Sequence, residues 1–281
     1  PAATPSAWRP HQVSVGLFAL PEPGSGRFQA AERYSRDGLG LAGARAMPFR
    51  DWLDDWQITE QAAPGDAGVI WRLRAADDDV ALDLDLRALK GPVLNGRNGL
   101  SQKSEEPGNA SYYYSLTRLQ TSGVIRTGGR TLPVTGYSWL DREWGSSALS
   151  AEQTGWDWFA LQLDDNTELM FYNIRGRDGA QGSRSAGTWV AADGTARPLG
   201  REDVRIRVLD AWNSPLGGRY PGRWQIEVPA LGLKADIEPV MADQELSTAV
   251  RYWEGAVDVA GTRDGQAIRG RGYVELTGYA D

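Results

Sequence analysis

The sequence contains no cysteine and a single histidine, His11. The lack of cysteine excludes disulfide bonds, thiolate metal sites and a cysteine nucleophile. A single histidine excludes zinc sites that need two. It also argues against a Ser–His–Asp hydrolase, because His11 lies close to the start of the chain. A chain with one histidine and no cysteine suits a reaction that needs neither a metal nor an organic cofactor.

Long hydrophobic runs and blocks of basic residues are also lacking. No apolar segment approaches the ~20 residues of a membrane-spanning helix. The 30 basic and 37 acidic residues are interspersed and give a formal net charge of −7, which argues against nucleic-acid binding. The first residues have neither the charged nor the apolar region of a signal peptide, and no initiator Met, so we expect a processed or truncated N-terminus.

Aromatic residues are abundant instead, with 12 Trp and 10 Tyr among the 281 residues. Such a composition suits apolar and cation–π contacts. In the segment 80–86, apolar residues alternate with polar ones, which predicts a half-buried antiparallel strand. Similar alternation and glycine-containing turns recur along the chain. The alternating segments are 204–208, 224–228 and 257–259, and the turns are 127–129, 191–194 and 263–265.

Many short strands separated by glycine turns, with no amphipathic helix longer than about three turns, predict an all-β sandwich or barrel. A closed barrel removes exposed strand edges and leaves an interior that can hold a ligand. The small and polar residues at 145–150 have no strand pattern. They predict a boundary near residue 147 that divides the chain into 1–147 and 148–281.

Candidate catalytic residues lie in the segment 137–144. If it forms a strand, Tyr137, Trp139, Asp141 and Glu143 share one face. A carboxylate among aromatic rings would be desolvated, and its raised pKa would suit a general acid. Alternatively, Asp141 or Glu143 forms a structural ion pair with Arg142 at a strand end. The spacing leaves both interpretations open.

Two further aromatic groups are candidate ligand contacts. Trp156 and Trp158 would share a face and form a wall for a flat or polyene-like ligand, although core packing explains such a pair equally well. Tyr112 and Tyr114 would also share a face, with Tyr113 pointing away. Their hydroxyls could orient water or a ligand oxygen, or could bind loop backbone at a rim.

Several strings resemble the lipocalin-like AttH/CrtC family. They cover nearly the whole chain and lie at 100–103, 107–115, 139–144, 155–163, 242–245, 252–255 and 272–278. The resemblance implies two consecutive lipocalin-like antiparallel β-barrels. The family's upstream Glu-Trp-Trp-Tyr strand is missing here, so residues 1–147 are expected to form a partial first barrel and residues 148–281 the second.

The resemblance also implies a function. Relatives include carotenoid 1,2-hydratases, which are cofactor-independent hydro-lyases, and predicted secreted hydrolases associated with an ABC transporter. Asp141 matches the acid of the hydratases' Tyr-x-Asp motif, with Trp139 in place of the Tyr. Tyr112 and Tyr114 lie where the hydratases carry a His-x-Trp pair. These replacements put carotenoid hydration itself in question.

The leading hypothesis is a protein that binds a long apolar, isoprenoid- or carotenoid-like ligand and hydrates an alkene in it. Asp141 would supply the proton, and Tyr112 or Tyr114 would hold the water. The candidate ligand-binding residues are Trp139, Trp156, Trp158, Tyr137, Glu143 and Gln102. The alternative is a non-catalytic carrier, the extracytoplasmic partner of an ABC transporter. An Asp141 carboxyl without an Arg partner would favour catalysis.

Overall fold

A computed structural model describes residues 12–36, 38–62, 70–145, 149–249 and 251–280. The fold is all-β, with two curled antiparallel sheets that form half-barrels, as the sequence predicted. Within these ranges the helical elements are three single 3₁₀ turns, Gly38–Gly40, Arg201–Asp203 and Pro229–Leu231. No described helix has the length and apolar character needed to span a bilayer. His11 lies outside the described residues.

Eleven strands precede residue 146 in the described ranges. Strands β1 (Val13–Glu22) and β2 (Arg27–Arg36) form a two-stranded sheet. The next nine strands are β3 (Ala42–Arg45), β4 (Arg50–Leu53), β5 (Trp56–Gln61), β6 (Ile70–Asp77), β7 (Val80–Ala88), β8 (Val93–Leu94), β9 (Leu100–Gln102), β10 (Ala110–Thr127) and β11 (Arg130–Gly145). They form one sheet in the order β11-β10-β7-β6-β5-β4-β3, and β8 and β9 pair with β10.

Ten further strands form the second large sheet. They are β12 (Gln153–Leu163), β13 (Glu168–Gly176), β14 (Ala186–Val190), β15 (Ala196–Gly200), β16 (Arg205–Asn213), β17 (Arg219–Val228), β18 (Leu233–Pro239), β19 (Glu245–Ser247), β20 (Arg251–Arg263) and β21 (Gln266–Leu276). Their order is β15-β14-β13-β12-β21-β20-β18-β17-β16, and β19 pairs with β20.

The sequence patterns predicted these strands and turns where they were strongest. The alternating segment 80–86 lies within β7, and the three glycine turns join β10 to β11, β14 to β15 and β20 to β21. Gly129, Gly194 and Gly265 have φ angles of 72°, 88° and 78°. Tight hairpin turns use this left-handed conformation, and glycine adopts it without a steric penalty.

The contacts divide the chain into two compact units. The first comprises Pro1–Ala19, Ala30–Leu89 and Arg118–Ser138, and the second comprises Leu20–Gln29, Lys90–Thr117 and Trp139–Asp281. The expected boundary near residue 147 lies outside the described residues. The division into domains 1–147 and 148–281 stays a prediction.

The second unit has the larger apolar core. On β12, Asp157, Phe159 and Leu161 face this core, whereas Trp156 and Trp158 point to the other side of the sheet and are only half-buried. The Phe159 ring meets Trp224 edge-on, with centroids 5.7 Å apart. The core-facing side chains of β12 are thus covered by other apolar residues. The half-buried Trp156 and Trp158 on the opposite face are available to a site.

Candidate functional site

Asp141 is the centre of a partly buried hydrogen-bond network in the second unit. Its Oδ1 accepts hydrogen bonds from Ser115 Oγ at 2.5 Å and from Trp139 Nε1 at 2.7 Å. Its Oδ2 accepts one from the Tyr113 hydroxyl at 2.6 Å. Ser115 and Tyr113 lie on β10, and Asp141 and Trp139 lie on β11. Two adjacent strands therefore position the carboxyl and its three donors.

A second layer of hydrogen bonds fixes the donors themselves. Asn95 Nδ2 donates to Ser115 Oγ at 2.8 Å, and Thr188 Oγ1 donates to Asn95 Oδ1 at 2.8 Å. Trp158 Nε1 donates to the Tyr113 hydroxyl at 3.1 Å. A hydrogen-bonded network of this kind holds a functional group in one orientation more firmly than isolated contacts do.

Among the residues that the structure describes, the Asp141 carboxyl has no basic partner. Within the described ranges, none of the ion pairs involves it, and its partners are the two hydroxyls and the indole N–H. Burial raises the pKa of Asp141, and the hydrogen bonds from Ser115, Tyr113 and Trp139 only partly offset that effect. This is the arrangement that the sequence analysis associated with catalysis rather than with a structural ion pair.

Aromatic rings surround this carboxyl. Trp139 and Trp158 meet edge to face, with centroids 6.3 Å apart and an interplanar angle of 85°. Both pack on a buried cluster that includes Tyr113 and Tyr172. Trp156 is on the same face of β12 as Trp158, and its indole N–H donates to Glu275. The rings can stabilise a cation formed near Asp141 through their faces.

Glu143 has a charged partner, unlike Asp141. Lys103 Nζ lies 2.6 Å from Glu143 Oε1, and Ser111 also donates to this carboxylate. The same ammonium lies 4.4 Å from the ring centroid of Tyr172 and 5.3 Å from that of Tyr113. Glu143 thus orients Lys103 over two rings of the site.

Tyr112 and Tyr114 lie on the other face of β10 from Tyr113. Tyr112 stacks on Trp144, with centroids 5.7 Å apart at 27°, and Tyr114 meets the same ring edge-on at 6.3 Å. Within the described ranges, no hydrogen bond joins either hydroxyl to Asp141. The geometry thus gives the contact with Asp141 to Tyr113, which the sequence analysis expected to point away.

Gln102 and Tyr112 belong to an open cleft of about 600 Å³. Its lining residues are Leu100, Gln102, Gly108, Ala110, Tyr112, Trp144 and Gly145. Tyr137 belongs to the first unit, where it is 56% exposed and the Arg118 guanidinium lies 5.1 Å from its ring centroid. Gln102, Tyr112 and Tyr137 therefore do not lie around Asp141 with the other candidate residues.

The sequence analysis did not single out Tyr113 or Ser115, although a signal was present. Serine, tyrosine and serine occupy alternate positions 111, 113 and 115, so they share one face of a strand. Small hydroxyl side chains on an inward face are suitable donors to a buried carboxylate. In the part of the chain that the structure describes, no cluster of three or more His, Asp or Glu could hold a metal ion.

Comparison with known proteins gives consistent results. The model of the AttH-like family matches residues 1–279. A kievitone hydratase from Fusarium solani subsp. phaseoli is 26% identical over 216 residues, which cover 73% of this chain and 59% of the hydratase. The chain thus aligns with less than two thirds of that relative's length.

Two solved structures resemble the whole fold. The crystal structure of an AttH-type protein from Nitrosomonas europaea has 36% identity and a TM-score of 0.86, and the match covers 99% of this chain and 84% of the other. The crystal structure of kievitone hydratase from Nectria haematococca has 18% identity and a TM-score of 0.73, covering 96% and 85%. At that identity, the second match shows the fold alone.

Proposed function

The chain belongs to the AttH-like family, and from this premise we propose that it binds a long apolar, isoprenoid-like alkene and hydrates it, with Asp141 as the acid. The observation that carries the proposal is the buried Asp141 carboxyl, which has hydrogen-bond donors but no cationic partner within the described ranges. A carboxyl whose pKa is raised by burial keeps its proton to a higher pH than an exposed one and can transfer it to a weakly basic carbon. The hydratase named among the relatives supports the same reaction class.

The aromatic surroundings suit the intermediate of such a reaction. Protonation of a branched alkene leaves a tertiary cation, and the faces of Trp139 and Trp158 would stabilise it without a counter-charge. An unpaired lysine ammonium beside Trp139 and Trp158 would repel the cation. The ammonium nearest the site, Lys103, is instead paired with Glu143 at 2.6 Å, and this pairing limits the repulsion.

The test is product analysis with two probes, kievitone and a linear isoprenoid alkene, with the wild type and Asp141→Asn compared. We expect both proteins to bind the probe by quenching of Trp fluorescence and only the wild type to form an alcohol. Loss of a general acid lowers the rate by about 10²- to 10⁴-fold. Asp258→Asn is the matched control, because this side chain is 64% exposed on β20.

Each other outcome has a distinct meaning. An Asp141→Asn protein that hydrates as fast as the wild type would show that Asp141 is not the acid. Equal binding by both proteins without turnover would favour a carrier that works with an ABC transporter. We also propose, on the family resemblance, an extracytoplasmic location, which cell fractionation would test.

A further inference from the structure

Two glutamates in the second unit have no role in the proposed proton transfer to carbon. Glu275 on β21 and Glu254 on β20 are direct partners across the two antiparallel strands. Residues paired in this way project from the same face of a sheet, with Cβ atoms about 4.5–5.5 Å apart. The two carboxyls face each other, and Tyr273 lies against Glu254.

These glutamates lie on the same face of the sheet as Trp158. Across four neighbouring strands the register aligns Tyr172, Trp158, Glu275 and Glu254. Trp158 also donates to the Tyr113 hydroxyl at 3.1 Å, and that hydroxyl donates to Asp141. Glu275 is therefore paired with Trp158 on the neighbouring strand. Trp158 in turn contacts Tyr113, the hydrogen-bond partner of the proposed acid.

The charges around the pair determine its protonation. Facing Glu275 are Glu254, Asp141 and Glu143, which are acidic, and the N–H of Trp156. Within the described ranges, no ion pair joins Glu254 or Glu275 to a basic residue. Two carboxyls this close cannot both ionise readily, so they share one proton and carry one negative charge. Burial raises the pKa of both groups. The charge of Glu275 raises the pKa of Glu254 further, and Asp141 and Glu143 do the same for Glu275, whereas the hydrogen bonds from Trp156 and Glu254 partly offset the rise at Glu275.

Hydration needs a proton acceptor as well as a donor, because the attacking water loses a proton. Tyr112 and Tyr114 were the sequence-based candidates to hold this water, and they face Trp144 instead. We propose that Glu275 is the base that takes the proton from the attacking water, and that Glu254 is a positioning residue that holds the shared proton. This inference rests on the proposed hydratase function.

The reaction balances as follows. The O–H bond of Asp141 breaks, and the electron pair of the C=C bond forms a C–H bond with that proton, which leaves a cation on the second carbon. A water oxygen forms the C–O bond to this carbon, and one of its protons passes to the Glu275 carboxylate. That proton returns to Asp141 through solvent, so the net change is the addition of one water.

The experiment separates the two proton transfers by running the reaction in D₂O with the linear isoprenoid alkene. Deuterium in the recovered alkene reports reversible protonation of carbon, and the alcohol reports capture by water. We expect Asp141→Asn to lose both signals. Glu275→Gln should keep the deuterium exchange but form alcohol at least about tenfold more slowly, and Glu275→Asp should recover part of that loss.

Asp258→Asn, at a 64% exposed position on the same strand as Glu254, is the matched control and should retain hydration. Glu254→Gln tests the positioning residue, because glutamine imitates a protonated glutamate. We expect Glu254→Gln to form alcohol more slowly than the wild type but faster than Glu275→Gln, whereas a purely structural pair would make the two Gln variants equally defective. Thermal unfolding and near-UV circular dichroism of each variant show whether it is folded.

Three results would overturn the inference. If Glu275→Gln hydrates the alkene at the wild-type rate, or if the two Gln variants are equally defective, Glu275 is not the base. The role of Asp141 as the acid would be unaffected by either result. Neither signal from the wild type with any probe would instead reject the hydratase function, and the base with it.

Discussion

At Asp141, burial and hydrogen bonding act on the pKa in opposite directions. Burial raises it, and the donors Ser115, Tyr113 and Trp139 lower it by stabilising the charged form. The net effect is a raised pKa, so this carboxyl keeps its proton at a higher pH than an exposed aspartate does. As an acid it is active only below its pKa, and hydration should therefore decline as the pH rises through that value.

Removing one of the three hydrogen-bond donors should raise the pKa of Asp141 further, so that hydration declines at a higher pH. In Tyr113→Phe the carboxylate loses a hydrogen bond, and hydrogen bonds to charged groups contribute about 1.5–3 kcal/mol. Since one pKa unit corresponds to about 1.4 kcal/mol, we expect the limb of kcat/KM against pH to shift upward by roughly one unit. Tyr34→Phe is the control, because its hydroxyl donates to Glu32. A downward shift would contradict this account.

The identity of the residue beside Asp141 could not be read from local pattern. Alternation fixes which residues share a face, but not which face is turned inward. Positions 112, 113 and 114 are all tyrosine, so hydrophobicity does not distinguish the two sides. The small serines at 111 and 115 mark the inner face only once the partner carboxylates on β11 are known. Asp141 and the tryptophans, by contrast, were recognisable from the family strings.

At the scale of elements, β20 and β21 carry the glutamate pair, and this has a consequence for stability. Both pKa values are raised in the folded protein. Such groups stabilise the fold fully below their unfolded pKa, and that contribution is lost as the pH rises through the folded pKa. The wild type should therefore lose stability through this pair as the pH rises above about 4, the ordinary pKa of a glutamate.

Glu254→Gln should reduce this pH dependence. The variant keeps the shape of the side chain and removes the second charge, so we expect its Tm, relative to the wild type, to be higher at pH 8 than at pH 5. Thermal unfolding at the two pH values measures this. Glu238→Gln, at an exposed position on β18, should show no such difference. If the Tm of Glu254→Gln relative to the wild type is instead lower at pH 8 than at pH 5, repulsion between the two glutamates does not destabilise the fold.

Strands and hairpins were predictable where the signal is local. The alternation at 80–86 and the glycine turns depend on neighbouring residues, and β7 and the hairpins follow them. The pairing of Glu254 with Glu275 depends on the register of two long strands. Each glutamate alternates with apolar core residues in sequence, which predicts an exposed face. Their burial arises from the aromatic rings packed on that face, which no local pattern specifies.

For the whole molecule, the two units differ in how much core they bury. Fully buried large side chains of the second unit include Trp224, Trp253 and Phe159. In the first unit the buried apolar residues are fewer within the described ranges; they include Leu53, Trp56 and Leu119. Burial of apolar area contributes roughly 25 cal/mol per Å², so the second unit should be the more resistant to local opening.

Native-state hydrogen exchange should show this difference directly. We expect the amides of β12, β20 and β21 to exchange at least about tenfold more slowly than those of β3 to β6, since exchange protection follows the free energy of local opening. Mass spectrometry of peptic fragments gives the measurement, with the unfolded chain in denaturant as the reference. Equal protection of both groups of strands would contradict the expected order.

The buried carboxyls also change how the folded protein migrates in an electric field. The formal charge of −7 treats every Asp and Glu as ionised, and the sequence isoelectric point of about 5.0 takes no account of the folded surroundings of each carboxyl. Asp141, Asp157, Glu254 and Glu275 all have raised pKa values, so they retain protons that the unfolded chain releases. These four carboxyls therefore move the isoelectric point of the folded protein upward, and they take up protons from mildly acidic buffer as the chain folds.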